Sequence, residues 1–552
     1  MVLSLLAIPL ALLSPYLAKL VIDKAYMGKD LALFFILAVI GGLVFVVTAL
    51  ISSLNDYLLM RMNRRVCFDM GRDIFRHLQN LSLSFFDTKS ASEHIYKIHN
   101  DVNIVSAFLC NALPQGVTLV VRFLCIFIVV LHLNWKLALF AFFMIPVSFI
   151  HPCFFRKLLK ESTTGMIEKS QRMFRYLCEV FSHTHLVKAF GKEECETHRF
   201  EVVSLERFNV EATRDKLLSI SAFSGSVLNK IINGFIALYG GYQVITGAMT
   251  LGSFSAIMIY SAQLTGLSKL LAKFYENIAI NSVSVERLIE ILDTKPKIAN
   301  KKDALDYQIL KGSIDFKDVS FGYKENSFVL KSMNFEITPG SKIAITGPSG
   351  CGKTTLLSLM LRIYDVKDGA VLIDGMDIRD MRIEALTSQV AIVLQEPFLW
   401  NDTIACNILY GMEGATQKQM VEAAKIAEIH EFIVSLECGY DSEIGEMACL
   451  LSEGQKQRLA IARAVIKRPA VLLFDEAFSS IDSETENKII DNINGHLAGT
   501  TVIVVSHRIS TIKRMDAVYF FEGHSHLVRS AHSELVKSNA AYKELFTGQH
   551  AS

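Results

Sequence analysis

The stretch that decides the fold is Lys342-Ile343-Ala344-Ile345-Thr346-Gly347-Pro348-Ser349-Gly350-Cys351-Gly352-Lys353-Thr354-Thr355. Its β-branched start predicts a strand, its middle fits the pattern G-x-x-x-x-G-K-[ST], and a helix is predicted over Thr355–Arg362. In this arrangement glycines let backbone N–H groups face phosphate oxygens, Lys353 adds positive charge, and Thr354 offers a hydroxyl to Mg²⁺. The stretch therefore predicts a nucleoside triphosphate site, although the pattern alone also fits a glycine-rich turn.

A second stretch, Val471-Leu472-Leu473-Phe474-Asp475-Glu476, predicts a buried strand that ends in two carboxylates. Because successive strand residues point to opposite faces, the two acids can have different roles. Asp475 is placed to hold a metal ion, and Glu476 is placed to polarise the water that attacks a γ-phosphate. Paired acids without a nucleotide are the alternative, which the glycine-rich motif disfavours.

Short β-branched runs alternate with helical segments through the C-terminal half of the chain. The runs are Lys342–Thr346, Val390–Leu394, Val471–Phe474 and Thr501–Val505. This alternation is typical of a parallel sheet with crossover helices, so we predict an α/β nucleotide-binding domain over residues 313–548. Residues 291–312 are polar and Lys-rich and are predicted to be a linker.

Residues 1–290 have a different composition, with six apolar stretches close to the ~20 residues that cross about 30 Å of hydrocarbon. They are Val2–Ile22, Leu31–Ser53, Val117–Leu133, Leu137–Phe155, Ile220–Ile245 and Phe254–Leu271. A cleaved signal peptide is the alternative for the first, but it lacks a basic start and a cleavage site. The pattern predicts an all-α domain of six transmembrane helices.

Two connections between these stretches, 54–115 and 156–219, are long and polar, and helical periodicity continues into them. The first is rich in Lys and Arg, which the positive-inside rule assigns to the cytoplasm. The net charge of +1 gives no basic field for nucleic acid, so no nucleic-acid partner is expected. The ten cysteines form no C-x-x-C pair, which suits a reducing cytosol but also fits chance.

Upstream of the acidic strand, Leu451-Ser452-Glu453-Gly454-Gln455 is similar to the ABC signature. Nearly the whole chain resembles bacterial ABC half-transporters of the multidrug and lipid-flippase type. The resemblance implies a six-helix transmembrane domain followed by an α/β P-loop ATPase domain. It also implies short coupling helices, expected around His99–Ile104 and Glu194–Arg199, whose tips contact ATPase domains.

The resemblance assigns roles to further residues. Tyr323 would stack on adenine, Gln395 would sense Mg²⁺ and water, and His507 would contact the γ-phosphate and position the water. Glu476, His507 and Gln395 are thus the implied catalytic residues, and Thr354, Gln395 and Asp475 the implied Mg²⁺ residues. Two ATP molecules would be sandwiched between two ATPase domains, because residues from both copies would complete each site. These residues are Gly347, Pro348, Ser349, Gly350, Cys351, Gly352, Lys353, Thr354 and Thr355 of one copy, with Ser452, Gly454 and Gln455 of the other.

The chain departs from the family pattern in two places. Glu453 stands where the signature has glycine, and a carboxylate beside phosphate would be repelled by about 4 kcal/mol at 4 Å and an effective dielectric constant near 20. Ser452 and Gln455 fit a capping box, however, and an acid suits the first turn of a helix, so we expect Glu453 to be tolerated with its side chain pointing away. Glu446 lies in Gly445-Glu446-Met447-Ala448, which replaces the usual Gly-Glu-Arg-Gly.

Two cations, Arg122 and Lys230, fall inside predicted spans, where charges are costly. They could line a basic cavity for an anionic amphiphile. Alternatively, Arg122 pairs with a buried polar group and Lys230 extends to the interface. The sequence is compatible with both interpretations.

The sequence and its resemblance together predict an ATP-driven exporter or flippase that moves a hydrophobic or amphipathic molecule, with ATP and Mg²⁺ as ligands. Peptide cargo is one alternative, and an ATP-gated channel or regulatory protein is another. A soluble ATPase acting on DNA or ribosomes would not carry six apolar spans. The partner is expected to be a second copy of the chain, although a different half-transporter would also fit, and the location a bacterial inner membrane with the ATPase in the cytoplasm. The sequence does not identify the substrate. It is also compatible both with flipping between the two leaflets and with full export.

Overall fold

A computed structural model of the 552-residue chain describes residues 2–86, 95, 97–309, 311–324, 327–445, 451–523 and 526–547. The chain divides into two compact units, Met1–Leu81 with Phe85–Lys295 and Ser82–Ser84 with Pro296–Ser552. The limits predicted at residues 290 and 312 stay predictions. The last helix of the first unit extends to Asp293, and Ile309 is buried in the core of the second unit.

All regular secondary structure among the described residues of the first unit is helical. Its long helical stretches are Val2–Leu20 with Val21–Tyr26, Leu31–Gln79, Lys97–Asp101 with Val102–Ala107, Phe108–Ala112 and Leu113–Leu133, then Trp135–Ser182, Glu193–Ile245 and Leu251–Asp293. Its short helices are Thr184–Ala189 and Leu83–Phe86, although the first two residues of Leu83–Phe86 belong to the second unit. Polar residues fix several starts: Asp30, Asn134 and Thr250 each accept a hydrogen bond from a backbone N–H in the first turn that follows.

Three helical stretches of the described chain are long and apolar enough to cross a membrane, namely Val2–Tyr26, Leu31–Gln79 and Ile98–Leu133. The other three predicted spans lie within the long helices Trp135–Ser182, Glu193–Ile245 and Leu251–Asp293. The helical domain is therefore confirmed, and the count of six spans stays a prediction. Their apolar surface is large, since Phe45 is 75% exposed and Leu238 is 76% exposed, which suits contact with lipid.

One expected coupling helix is placed differently from the prediction. Residues Glu194–Arg199 are not a separate short helix but the first turns of the 53-residue helix Glu193–Ile245. The short helix precedes it, at Thr184–Ala189, and ends before Gly191, whose φ of 57° breaks the helical path. The position expected from the family resemblance was wrong, because the turn that separates the short helix from the long one lies at Phe190–Lys192, before Glu194.

The second unit holds two sheets and their helices. Its strands are β1 (Ile314–Phe321), β2 (Leu330–Ile337), β3 (Lys342–Thr346), β4 (Asp368–Ile373), β5 (Met376–Asp377), β6 (Val390–Val393), β7 (Val471–Asp475), β8 (Thr501–Val505), β9 (Ala517–Phe521) and β10 (Leu527–Ser530). Its helices are Lys353–Met360, Ile383–Gln389, Ile404–Leu409, Gln417–Ile426, His430–Ser435, Gly439–Asp441, Glu453–Val465, Ser483–His496, Ile509–Ile512, His532–Ser538 and Ala540–Thr547. The α/β class predicted for this domain is confirmed.

The larger sheet positions the predicted motifs. Its order is β10-β9-β3-β8-β7-β6, and β9, β3, β8, β7 and β6 run parallel. Strands β7 and β8 are buried at every residue, as expected where helices cover both faces. Because the strands are parallel, the segments that follow β3, β6, β7 and β8 meet along one edge of the sheet. The smaller sheet, β2-β1-β4-β5, is antiparallel.

Candidate nucleotide site

The loop after β3 has the backbone shape that the glycine pattern predicts. Gly350 and Gly352 have φ values of 80° and 106°, in the left-handed region that favours glycine. A Cβ on Gly352 would also lie 2.8 Å from Leu330 Cδ2. The following helix begins at Lys353 and ends at Met360, so the predicted bounds Thr355–Arg362 were shifted by two residues. The helix therefore starts directly at the mouth of the loop.

Lys353 closes this loop. Its side chain is buried, and its Nζ donates hydrogen bonds of 3.0 Å to the carbonyls of Gly347 and Pro348. Ser349 is exposed at the tip of the loop, whereas Cys351 is buried, and burial raises the pKa of its thiol. Ser349 is thus accessible to a ligand through its backbone and hydroxyl, and Cys351 packs as a neutral thiol.

Thr354 and Asp475 bring two oxygen donors together beside the loop. Asp475 is the last residue of β7, and its Oδ1 accepts a hydrogen bond of 3.2 Å from Thr354 Oγ1. Burial raises the pKa of this carboxyl, because water no longer solvates its charge. The described residues contain no group of three or more His, Cys, Asp or Glu side chains that could hold a metal. The oxygen atoms of Thr354 and Asp475 nevertheless suit Mg²⁺, which commonly uses one or two protein carboxylates together with phosphate oxygens and water.

Glu476 differs from Asp475 in its backbone. β7 ends at Asp475, and Glu476 has a φ of 50°, a left-handed conformation unusual for a residue with a side chain. Its N–H donates to the carbonyl of Val505 on β8 at 3.0 Å. The two carboxylates thus have different partners, and the chain leaves the strand between them, whereas we predicted that strand alternation would separate their roles.

The structure brings together the three residues expected to be catalytic. Gln395 Nε2 donates to Glu476 Oε2 at 3.2 Å, and His507 Nε2 lies 3.5 Å from Glu476 Oε1. Burial first, and then the charge of Lys353, lower the pKa of His507, although Glu476 opposes this shift. The imidazole is therefore neutral at pH 7. Gln395 contacts the carboxylate of Glu476, and its predicted role toward Mg²⁺ stays a prediction.

Tyr323 lies beside the start of the helix Lys353–Met360. Its hydroxyl is hydrogen bonded to Thr355 Oγ1 at 3.0 Å, and its ring packs edge-on against Phe321 and Tyr364. The side chain is 55% exposed, so an aromatic surface is open to solvent next to the loop. This placement suits stacking with a nucleobase.

The signature segment opens the helix Glu453–Val465 with the capping box that the sequence predicts. Ser452 Oγ accepts from the N–H of Gln455, and Gln455 Oε1 accepts from the N–H of Ser452 at 2.8 Å. Glu453 is 66% exposed in its side chain and pairs with Lys456 at 2.8 Å. The expectation that Glu453 avoids phosphate stays a prediction, and Glu446 lies outside the described residues.

Residues assigned to the two halves of the predicted site are not joined within one chain. No hydrogen bond in the described part of the chain links Ser452, Gly454 or Gln455 to the loop 347–355. Gly454 packs elsewhere, since a Cβ there would lie 2.8 Å from the carbonyl oxygen of Ser480. One copy thus shows the loop, Asp475, Glu476 and His507 as one cluster, with the signature residues apart from it.

Our sequence reasoning missed two functional candidates in this unit, Arg508 and Gln457. Arg508 donates to the carbonyl of Ile481 at 2.7 Å and lies 3.0 Å from the buried carboxylate of Glu486. It thereby ties the segment of His507 to the turn that follows β7. Adjacency to His507 was the available signal for Arg508. Gln457, two residues after Gln455, is buried and is hydrogen bonded to Gln395 and to the turn that follows β7.

Comparison with known proteins gives consistent results along the whole chain. The family model of the ABC transporter transmembrane region matches residues 1–268, and the family model described as ABC transporter matches residues 330–479. An ATP-dependent lipid A-core flippase of Desulfotalea psychrophila is 33% identical, over 97% of this chain and 93% of its own length. A putative multidrug export ATP-binding/permease protein of Bacillus subtilis is 32% identical, over 99% and 95%.

A solved structure agrees with these matches. The structure of a bacterial Atm1-family ABC exporter with ATP bound superposes on this chain with a TM-score of 0.91 at 27% sequence identity. The match covers 100% of this chain and 97% of the exporter. The likeness therefore includes both the helical unit and the sheet-containing unit.

Proposed function

The chain belongs to the ABC transporter family, with the transmembrane region and the ATPase on one polypeptide, and from this premise we propose that two identical copies export an anionic, lipid-like amphiphile. The protein is an integral membrane ATPase that couples nucleotide hydrolysis to export, and its half-transporter architecture implies a dimer. The observation that carries the hydrolytic function is the cluster of Gln395, Glu476 and His507 beside the loop that follows β3. An ATP-gated channel or regulatory protein would not need this cluster.

In the proposed mechanism, the loop Gly347–Thr354 and Lys353 bind the phosphates, and Tyr323 stacks on the adenine. Ser452 and Gly454 of the second copy complete the site, with Gln455 holding their helix start in place. Thr354 Oγ1 and Asp475 Oδ1 would hold Mg²⁺, with Gln395 nearby. Bound there, the ion would neutralise charge on the phosphate oxygens.

Glu476 would polarise the attacking water by accepting its hydrogen bond. Gln395 Nε2 fixes Oε2 of this carboxylate, which leaves Oε1 on the side of His507. The neutral imidazole of His507 would contact the γ-phosphate and hold the water in line without adding a full positive charge.

We propose a bacterial inner membrane location with the ATPase in the cytoplasm, on the basis of the basic connection 54–115 and the bacterial relatives.

Arg122 supports an anionic cargo. It lines a cavity of about 400 Å³ in the helical unit, and its Nε is buried without a hydrogen-bond partner among the described residues. Asp56 lines the same cavity, but it does not accept a hydrogen bond from the Nε of Arg122. A cationic side chain with a buried, unpaired nitrogen atom is stabilised by an anionic group of a ligand. Lys230 is exposed on the helix Glu193–Ile245, so it can face either the cavity of a dimer or the interface.

The cargo proposal predicts that anionic lipid stimulates ATP hydrolysis through these cations. We expect vesicles containing phosphatidylglycerol to stimulate the purified protein severalfold more than neutral phosphatidylcholine vesicles do. The double variant Arg122→Gln, Lys230→Gln should lose this difference and keep its basal rate, because neither residue belongs to the nucleotide site. Arg65→Gln with Lys157→Gln, two exposed cations outside the predicted spans, is the matched control. Equal stimulation by both lipids, in wild type and double variant, would exclude anionic cargo, and stimulation by peptides would favour a peptide exporter.

The homodimer proposal predicts that two copies of this chain alone form the active unit. When copies with two different affinity tags are co-expressed, sequential purification on both tags should recover protein that hydrolyses ATP. The Glu476→Gln protein with ATP should have the mass of a dimer by light scattering and hold one ATP per chain. A monomer that turns over at the full rate, or activity that appears only with a different half-transporter, would contradict the homodimer.

A further inference from the structure

Gln457 is a buried amide at the junction of three functional segments. Its side chain is 1% exposed on the helix Glu453–Val465, close to the capping box at Ser452. Its Nε2 donates to the carbonyl of Gln395 at 3.3 Å and to Ser479 Oγ at 3.2 Å. Its Oε1 accepts from the N–H of Ser480 at 3.2 Å. Both of its polar atoms are therefore engaged by segments that adjoin Glu476.

These contacts close a ring of hydrogen bonds around Glu476. The N–H of Ser479 donates to the carbonyl of Glu476 at 3.1 Å, and Ser479 Oγ accepts from Gln457. On the other side, Gln457 holds the backbone of Gln395, whose Nε2 donates to the carboxylate of Glu476 at 3.2 Å. The ring thus fixes Glu476 through both its backbone and its side chain.

Glu476 needs such support because of its own conformation. Its φ of 50° is unfavourable for a residue with a Cβ, and a conformation of this kind persists only where surrounding contacts impose it. The side chain is also partly exposed, so packing alone does not hold it. Gln395 and Ser479 are two of its direct contacts, beside Val505 and His507, and Gln457 is the side chain that joins Gln395 to Ser479.

We propose that Gln457 is a positioning residue for ATP hydrolysis, which holds the carboxylate of Glu476 in the geometry that polarises the attacking water. It acts through Gln395 and Ser479 and does not touch the loop Gly347–Thr354. Loss of its donors should slow hydrolysis and leave nucleotide binding intact, since small misplacements of a catalytic group reduce rates steeply. The close approach of Gly454 to Ser480, where a Cβ would lie 2.8 Å from the carbonyl oxygen, places the signature helix against the same ring.

The test compares Gln457→Leu in two backgrounds by single-turnover ATP hydrolysis in the full-length protein. In the wild-type background we expect kcat to fall about 10- to 100-fold with unchanged ATP affinity. In the Glu476→Gln background the same substitution should have no further effect, because the group that Gln457 positions is already lost. A merely structural role would instead lower ATP affinity and reduce the residual rate by the same factor in both backgrounds, and either result would overturn the proposal.

Two further variants keep the test decisive if Gln457→Leu folds poorly. Gln457→Glu retains the acceptor for the N–H of Ser480 but removes the donors, so it should show the same loss in kcat. Gln389 makes a matched control, because its amide also has three hydrogen-bond partners, the backbone groups of Tyr307, Ala385 and Ile309, but lies at the opposite end of β6. Gln389→Leu should lower the melting temperature without changing kcat of the folded protein. A kcat for Gln457→Glu within about twofold of wild type would exclude the positioning role.

Discussion

Replacement of Glu476 by glutamine should leave ATP binding intact and slow hydrolysis by about 10²- to 10⁴-fold, the usual contribution of a general base. The amide has nearly the same shape as the carboxylate, so the backbone turn at Glu476 and the contacts of the loop after β3 are preserved. It cannot accept a proton from water, however, and its charge is lost. The measurement is steady-state phosphate release by the purified variant, together with equilibrium binding of ATP.

The matched control for this experiment is Glu413→Gln, which removes an exposed carboxylate from a loop of the same unit. It should bind and hydrolyse ATP as wild type does. Turnover of Glu476→Gln at the wild-type rate would refute the assignment of Glu476 as the general base. Loss of ATP binding would show that Glu476 contributes to the binding of ATP itself. Neither outcome would change the family of the protein.

Local sequence patterns correctly predicted the parts of the site that are held by short-range contacts. The strand Lys342–Thr346 has the predicted bounds, and the capping box of Ser452 and Gln455 forms as predicted. In both cases the interactions lie within a few residues of one another, so spacing alone constrains them. The parallel sheet followed from repeated β-branched runs, because a central strand covered on both faces must be apolar at every position.

Long-range contacts were not predictable in the same way. The left-handed turn at Glu476 depends on its bond to Val505 of β8, and the buried position of Gln457 depends on segments from residues 395 and 479–480. Neither partner is near in the sequence. Glycine usually marks a positive φ, and here the residue is glutamate, so the sequence carried no sign of the turn. A buried glutamine on a polar helix likewise looks like solvated surface until its partners are known.

In the helical unit, too, local features were predictable from the sequence and long-range contacts were not. Composition predicted long apolar helices, and the structure has them, but the helix start at Glu193 and the cavity beside Arg122 depend on turns and on neighbouring helices. Burial of Arg122 Nε could be expected from its place in an apolar run, whereas its lack of a hydrogen-bond partner among the described residues could not. The support for an anionic cargo therefore comes from the packing of neighbouring helices, which a hydropathy pattern does not predict.

Replacement of Lys353 by methionine should weaken the ATP binding that Glu476→Gln preserves. The ammonium group is buried at the loop mouth and holds the carbonyls of Gly347 and Pro348, so its loss removes both a charge for the phosphates and a support for the loop. A charge-assisted hydrogen bond contributes about 1.5–3 kcal/mol, which corresponds to a fall in ATP affinity of about 10- to 100-fold. Hydrolysis should fall at least as far even at saturating ATP, because the same charge stabilises the transferring phosphoryl group. Lys331→Met, at an exposed position of β2, is the control and should behave as wild type. Unchanged ATP affinity in Lys353→Met, measured on protein with a normal melting temperature, would mean that the nucleotide lies elsewhere in this unit.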